Sequence, residues 1–139
     1  LIPTNTFYDI ILPYFSREEM KDDSLILSSV GRWSGEEDKI MEAAKNCGHE
    51  IKAVVLLDLT EADVKSRFEA AKELNDRGGR ADDASIEIFE TRIREFNKKT
   101  VPVLNHYDEL KLLIRVPADG SRDEVYSSVV DKLVEFINQ

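Results

Sequence analysis

The sequence has a single cysteine, Cys47, so it can form no internal disulfide, which weakly favours a reducing compartment. With only two histidines, His49 and His106, beside that one thiol, it is too poor in soft ligands for a structural zinc site. No apolar run approaches the roughly 20 residues that span a bilayer. No basic start followed by an apolar centre marks a signal peptide. Positive charge is in deficit as well. A formal net charge of −9 repels a long polyanion, which argues against a nucleic-acid polymer as partner. A small phosphate-bearing ligand is still allowed, because a few converging arginines overcome a negative background. The chain begins Leu1-Ile2-Pro3 with no initiator Met and reads as the middle of something longer. What is present suits one soluble globular domain: 139 residues, 42% hydrophobic and 34% charged.

Periodicity divides the chain into alternating helices and strands. Phe7, Ile10, Ile11, Leu12 and Tyr14 give a short amphipathic helix that Pro13 should disturb. Residues 24–30 (SLILSSV) read as a buried strand. Ser34 and Glu37 have capping-box spacing ahead of a helix to about Asn46, which Gly48 ends. Residues 51–59 (IKAVVLLDL) are the firmest strand, and Thr60 with Asp63 resembles a cap on the helix of Val64 and Phe68. Residues 75–83 form a polar break. A second long helix carries Phe89, Ile93 and Phe96, and Pro102 kinks it or starts another. Residues 112–116 (LLIRV) make a third strand. Ser121 and Glu124 cap a last helix with Val125, Val129, Leu133, Phe136 and Ile137 facing inward. This alternation predicts an α/β fold with a parallel sheet, helices on both faces, and ligands outside the carboxyl ends of the strands.

Chemistry concentrates in three places. Arg77-Gly78-Gly79-Arg80-Ala81-Asp82-Asp83, with Arg92 beyond it, joins mobile glycines to guanidinium forks that match phosphate oxygens. The same residues would also suit a solvated turn. Ser28-Ser29-Val30-Gly31-Arg32 permits close approach of a ligand beside an anion clamp, or is only a turn with an ion pair. Pro117-Ala118-Asp119-Gly120-Ser121 leads into a helix whose free N–H groups could bind an anion, or is only a connection. Cys47 beside His49 could be a nucleophile pair, but lacks an orienting third group and reads better as an incidental thiol.

Taken in order, these segments resemble the adenylate kinase and UMP/CMP kinase family over nearly the whole chain. Residues 76–102 (DRGGRADDASIEIFETRIREFNKKTVP) are similar to the family's RG…GR-x-DD lid, the following K-R-[LI]-x-x-[YF] helix and the T-x-P-[VI] step. Residues 112–126 (LLIRVPADGSRDEVY) resemble its last strand, A-x-G-S turn and D-[DE]-V-[FY] helix. Leu1-Ile2-Pro3 resembles the L-[VI]-P element, and Arg32 takes the place of the arginine in D-G-[FY]-P-R.

The resemblance implies a partial nucleoside monophosphate kinase core over residues 1–139, with a parallel sheet of the P-loop kinase type that is incomplete, three strands being present, and a short lid at about 75–84. Arg32, Arg80 and Arg92 would be the catalytic phosphate contacts. Leu1, Ile2 and Glu36 would join them around the monophosphate. Arg77, Asp82, Asp83 and Gly120 would belong to the lid and the ATP site. The implied reaction moves the γ-phosphoryl of ATP, with Mg²⁺, to AMP or another nucleoside monophosphate in a cytoplasmic monomer, with no metal ligand of the chain's own. An acidic protein with a small arginine cluster suits that chemistry, which asks for positioning and charge neutralisation.

The sequence departs from the family in several ways. Ser28-Ser29 stand where the family has Asp-Gly, which bears on an outer-shell magnesium contact. Arg80 and Arg92 are one residue further apart than usual, and Arg67 could share the role of Arg77. Nowhere is there G-x-x-x-x-G-K-[ST], the loop that brings a lysine and a Mg²⁺-holding hydroxyl to the phosphates. A chain without that segment and its strand should be inactive alone and marginally stable. The competing expectation is a non-catalytic nucleotide-binding or interaction protein that has lost the P-loop.

Overall fold

The computed structural model describes residues 4–73 and 86–138. The expected lid at 75–84 therefore lies outside the described residues, as do Leu1, Ile2, Arg77, Arg80, Asp82 and Asp83. The contacts separate the chain into two units, Leu1–Lys52 and Ala53–Gln139.

In the first unit, α1 (Thr4–Phe15) runs through Pro13 rather than stopping at it. The proline lies in the last turn, where a lost N–H removes only one bond. Helix α2 (Glu36–Asn46) starts at a Gly35 cap with φ 87°. The S-x-x-E reading of Ser34 and Glu37 is thus off by one residue, and Ser34 accepts no capping bond. The carboxylates of Glu36 and Glu37 take the exposed amides instead: Trp33 N–H donates to Glu36 at 3.2 Å and Gly35 N–H to Glu37 at 2.7 Å. The other end follows the glycine rule. Gly48 has φ 81°, its N–H donates to Lys45 O at 3.1 Å, and His49 N–H donates to Ala44 O at 2.9 Å, a Schellman stop. Tyr8 and Ile40 are the buried centre of this unit, with Leu25, Val30, Ala43, Cys47 and Ile51 packed around them.

Residues 24–30 do not form the expected strand. A strand needs a neighbour to complete its ladder, and among the described residues none pairs with this segment. Ser29, with φ 63°, also takes the backbone out of the extended region. Ile26 is left 96% exposed. The described sheet therefore has two strands rather than three, and Arg32 sits in an irregular loop rather than at a strand end.

The second unit carries that sheet. Strands β1 (Val54–Asp58) and β2 (Leu113–Pro117) pair in parallel, from Val54 opposite Leu113 to Asp58 opposite Pro117. In β2 the side chains alternate: Ile114 and Val116 are buried, and Arg115 is exposed. Each strand feeds a helix through a box of its own. Before α3 (Glu61–Glu73), Asp63 N–H donates to the Thr60 hydroxyl at 3.2 Å while Thr60 N–H donates to the Asp63 carboxylate at 3.2 Å. Before α6 (Arg122–Ile137), Ser121 and Glu124 make the same reciprocal pair.

Helix α4 (Ile86–Glu95) buries Phe89, whose ring centre lies 5.0 Å from that of Phe68 on α3. It passes through one π-helical turn, Phe96–Thr100, into α5 (Val101–Glu109), which has Pro102 in its first turn. Proline has no N–H and its ring crowds the carbonyl four residues back, so a widened turn there relieves both problems. Val103, Leu104 and Tyr107 bury the inner face of α5. Lys111 closes it at φ 58°, with Leu112 N–H donating to Tyr107 O at 2.9 Å and Lys111 N–H to Asp108 O at 2.9 Å. On α6, Val125, Val129, Leu133 and Phe136 are half-buried as expected, but Ile137 is 72% exposed. The parallel pair with its capped helices is an α/β arrangement, as the alternation predicted.

Candidate functional site

In the second unit the carboxyl ends of β1 and β2 meet one tight turn. Ala118 N–H donates to Asp58 O at 2.8 Å, which continues the ladder past Pro117. Beyond it the chain turns through Asp119 and Gly120 into the Ser121 cap. Arg67, on α3, reaches across 51 residues of sequence to this turn. Its guanidinium donates to Ala118 O, and at 3.4 Å to Gly120 O. Arg67 sits three residues after Val64 and next to Phe68, on the border of the half-buried stripe of α3, a position from which a long side chain can reach the neighbouring turn. Reading Arg67 as a substitute for Arg77 overlooked this contact, since no local pattern announces a bond between residues so far apart.

Some of the amides at this end are occupied by the protein itself. Ser121 N–H donates to the Glu124 carboxylate at 2.8 Å and Glu124 N–H to the Ser121 hydroxyl at 3.4 Å. The Ser121 hydroxyl, and after it the Ser121 amide, stabilise the charged carboxylate and hold the Glu124 pKa below its usual 4.5. The helix start therefore carries its own anion. After Pro117 the Ala118, Ser121 and Glu124 amides are taken by Asp58 O, the Glu124 carboxylate and the Ser121 hydroxyl. Across the sheet, Asp58 takes Arg115 at 3.4 Å. Gly120 lies in this turn with its carbonyl facing Arg67. Arg92 lies exposed in the last turn of α4.

In the first unit, the loop before α2 holds Arg32. Gly31 is buried with φ 64°, and a Cβ there would come within 3.3 Å of the Ile40 side chain. Only glycine combines that conformation with that closeness. The tight turn leaves Arg32 exposed next to it. Glu36, the first residue of α2, is half-buried. Its carboxylate holds the Trp33 amide and its carbonyl accepts from the Tyr8 hydroxyl at 3.3 Å. Arg32 and Glu36 are thus presented by one loop–helix junction.

Cys47 and His49 do not form a nucleophile pair. The thiol lies 3.2 Å from the Ser16 hydroxyl, and His49 Nε2 is enclosed with no hydrogen-bond partner among the described residues.

No family model matches the chain. Its sequence is 41% identical over 51 residues to an adenylate kinase of Chlamydia caviae, covering 37% of this chain and 24% of that protein. It is 37% identical over 75 residues to an adenylate kinase of a Synechococcus species, covering 54% of this chain and 37% of that one. With an adenylate kinase of Thermus thermophilus the similarity extends over 129 residues at 26% identity, 93% of this chain and 64% of the relative. The chain is similar to adenylate kinases. It spans about a quarter to two thirds of the length of these relatives. These similarities bear out the family resemblance of the sequence. No described helix is long and apolar enough to cross a membrane.

Proposed function

We propose that this chain is part of an adenylate kinase-like phosphotransferase. The intact enzyme moves the γ-phosphoryl group of ATP to AMP or another nucleoside monophosphate. The observation that carries this reading is the similarity to the Thermus thermophilus adenylate kinase over 93% of the chain. The parallel pair β1–β2, feeding capped helices at its carboxyl ends, supports it, because open parallel sheets bind ligands at that edge.

In this proposal Arg32, Arg80 and Arg92 neutralise charge on the transferring phosphoryl group and hold donor and acceptor in line. Leu1, Ile2 and Glu36 contribute to the monophosphate site. Arg77, Asp82 and Asp83 serve a lid at about 75–84 that excludes water, and Gly120 lies in the ATP site. The two units belong to one kinase core, active as a monomer in the cytoplasm.

Magnesium enters as part of MgATP, the substrate. The carboxylate that makes an outer-shell contact in the family motif is missing at one place on this chain. Ser28 and Ser29 offer neutral hydroxyls where the family motif has a carboxylate, and Mg²⁺ favours charged oxygen donors. No step is assigned to the ion on this chain.

The second reading, a nucleotide-binding or interaction protein without catalysis, rests on one observation: the 139 residues contain no G-x-x-x-x-G-K-[ST]. A coupled assay of ADP formation from ATP and AMP separates the two. The 139-residue chain alone should give no turnover. The product of the complete gene should turn over, and Arg32→Ala or Arg92→Ala in it should lower kcat by about 100-fold or more. A complete gene product that binds ATP without forming ADP would support the second reading and end the first.

A further inference from the structure

We draw no further inference here: the strongest candidate, the exposed apolar stripe of Tyr126, Val130, Val134 and Ile137 along α6, carries nothing because nothing in the structure shows what covers it.

Discussion

Removing the Arg67 guanidinium should loosen the turn that follows β2. Two of its contacts are involved. The bond to Ala118 O is a charged-donor bond, a class worth about 1.5–3 kcal/mol. The contact with Gly120 O, at 3.4 Å, is at the edge of useful geometry and adds little. Arg67 is exposed, so water can replace the lost donor, and ordering a long side chain costs entropy. The net loss for Arg67→Met, which keeps the aliphatic stem, is then about 1 kcal/mol. In a chain of this size that lowers Tm by about 3–5 °C. Arg67→Lys should fall between, since an ammonium can serve one carbonyl but not fork across two. Urea unfolding followed by circular dichroism gives the stability, and amide exchange gives the location. Exchange should quicken at the Ala118 and Ser121 amides, which donate within this turn, while strand amides such as that of Val116 change only with global stability. Arg67→Met within about 0.3 kcal/mol of the parent, with unchanged exchange in the turn, would refute the clamp.

Glu124 should titrate below 4.5, because its charged form accepts from both the hydroxyl and the amide of Ser121. A depressed folded pKa means that this group stabilises the fold above about 4.5 and that the contribution fades as pH falls through the lower folded value. A ¹³C titration of the Glu124 carboxyl giving a midpoint at or above 4.5 would overturn this, and Glu124→Gln should keep the box while removing its pH dependence. Gly31→Ala should cost about 1–2 kcal/mol, since the new Cβ meets both a left-handed backbone and the Ile40 side chain; denaturant melts read it directly. Lys111→Gly should stabilise by about 0.5–1 kcal/mol, because Lys111 ends α5 at φ 58° where glycine carries no steric penalty; a melt at or below the parent's would count against it.

Local chemistry was the legible part of this fold. Thr60 with Asp63 and Ser121 with Glu124 each place a helix start within four residues, and both boxes form as read. Gly48 ends α2 for the same reason, one backbone conformation at one position. The pattern failed at Ser34 because the helix starts one residue later, at a left-handed Gly35, and the carboxylates of Glu36 and Glu37 fold back onto the Trp33 and Gly35 amides. The segment 24–30 failed for a different reason. Apolar runs show a willingness to pair, but pairing itself depends on a neighbour from elsewhere in the chain. Ile137 shows a third limit. Helix α6 carries two adjoining apolar stripes, and periodicity says which residues share a stripe without saying which stripe meets the sheet. At the candidate site, residue types and order pointed to phosphate chemistry. The Arg67 bond to Ala118, set by tertiary packing, had no counterpart in any short motif.

The exposed apolar residues share a physical cause. Strand β1 is apolar through Val54, Val55, Leu56 and Leu57, the pattern of a parallel strand buried on both faces, yet Leu57 is 54% exposed. Ile26 and Leu27 are exposed in an irregular segment, and the outer stripe of α6 is exposed as well. Two parallel strands are few for a stable sheet of this kind, which normally needs more neighbours and covered faces. The hydrophobic pattern is therefore written for a larger core than the described residues form. Each exposed apolar side chain forgoes on the order of 1.5–3 kcal/mol that full burial would supply, against a typical folding stability of about 5–15 kcal/mol. Two or three such residues amount to much of the usual margin, so this chain by itself should be marginally stable.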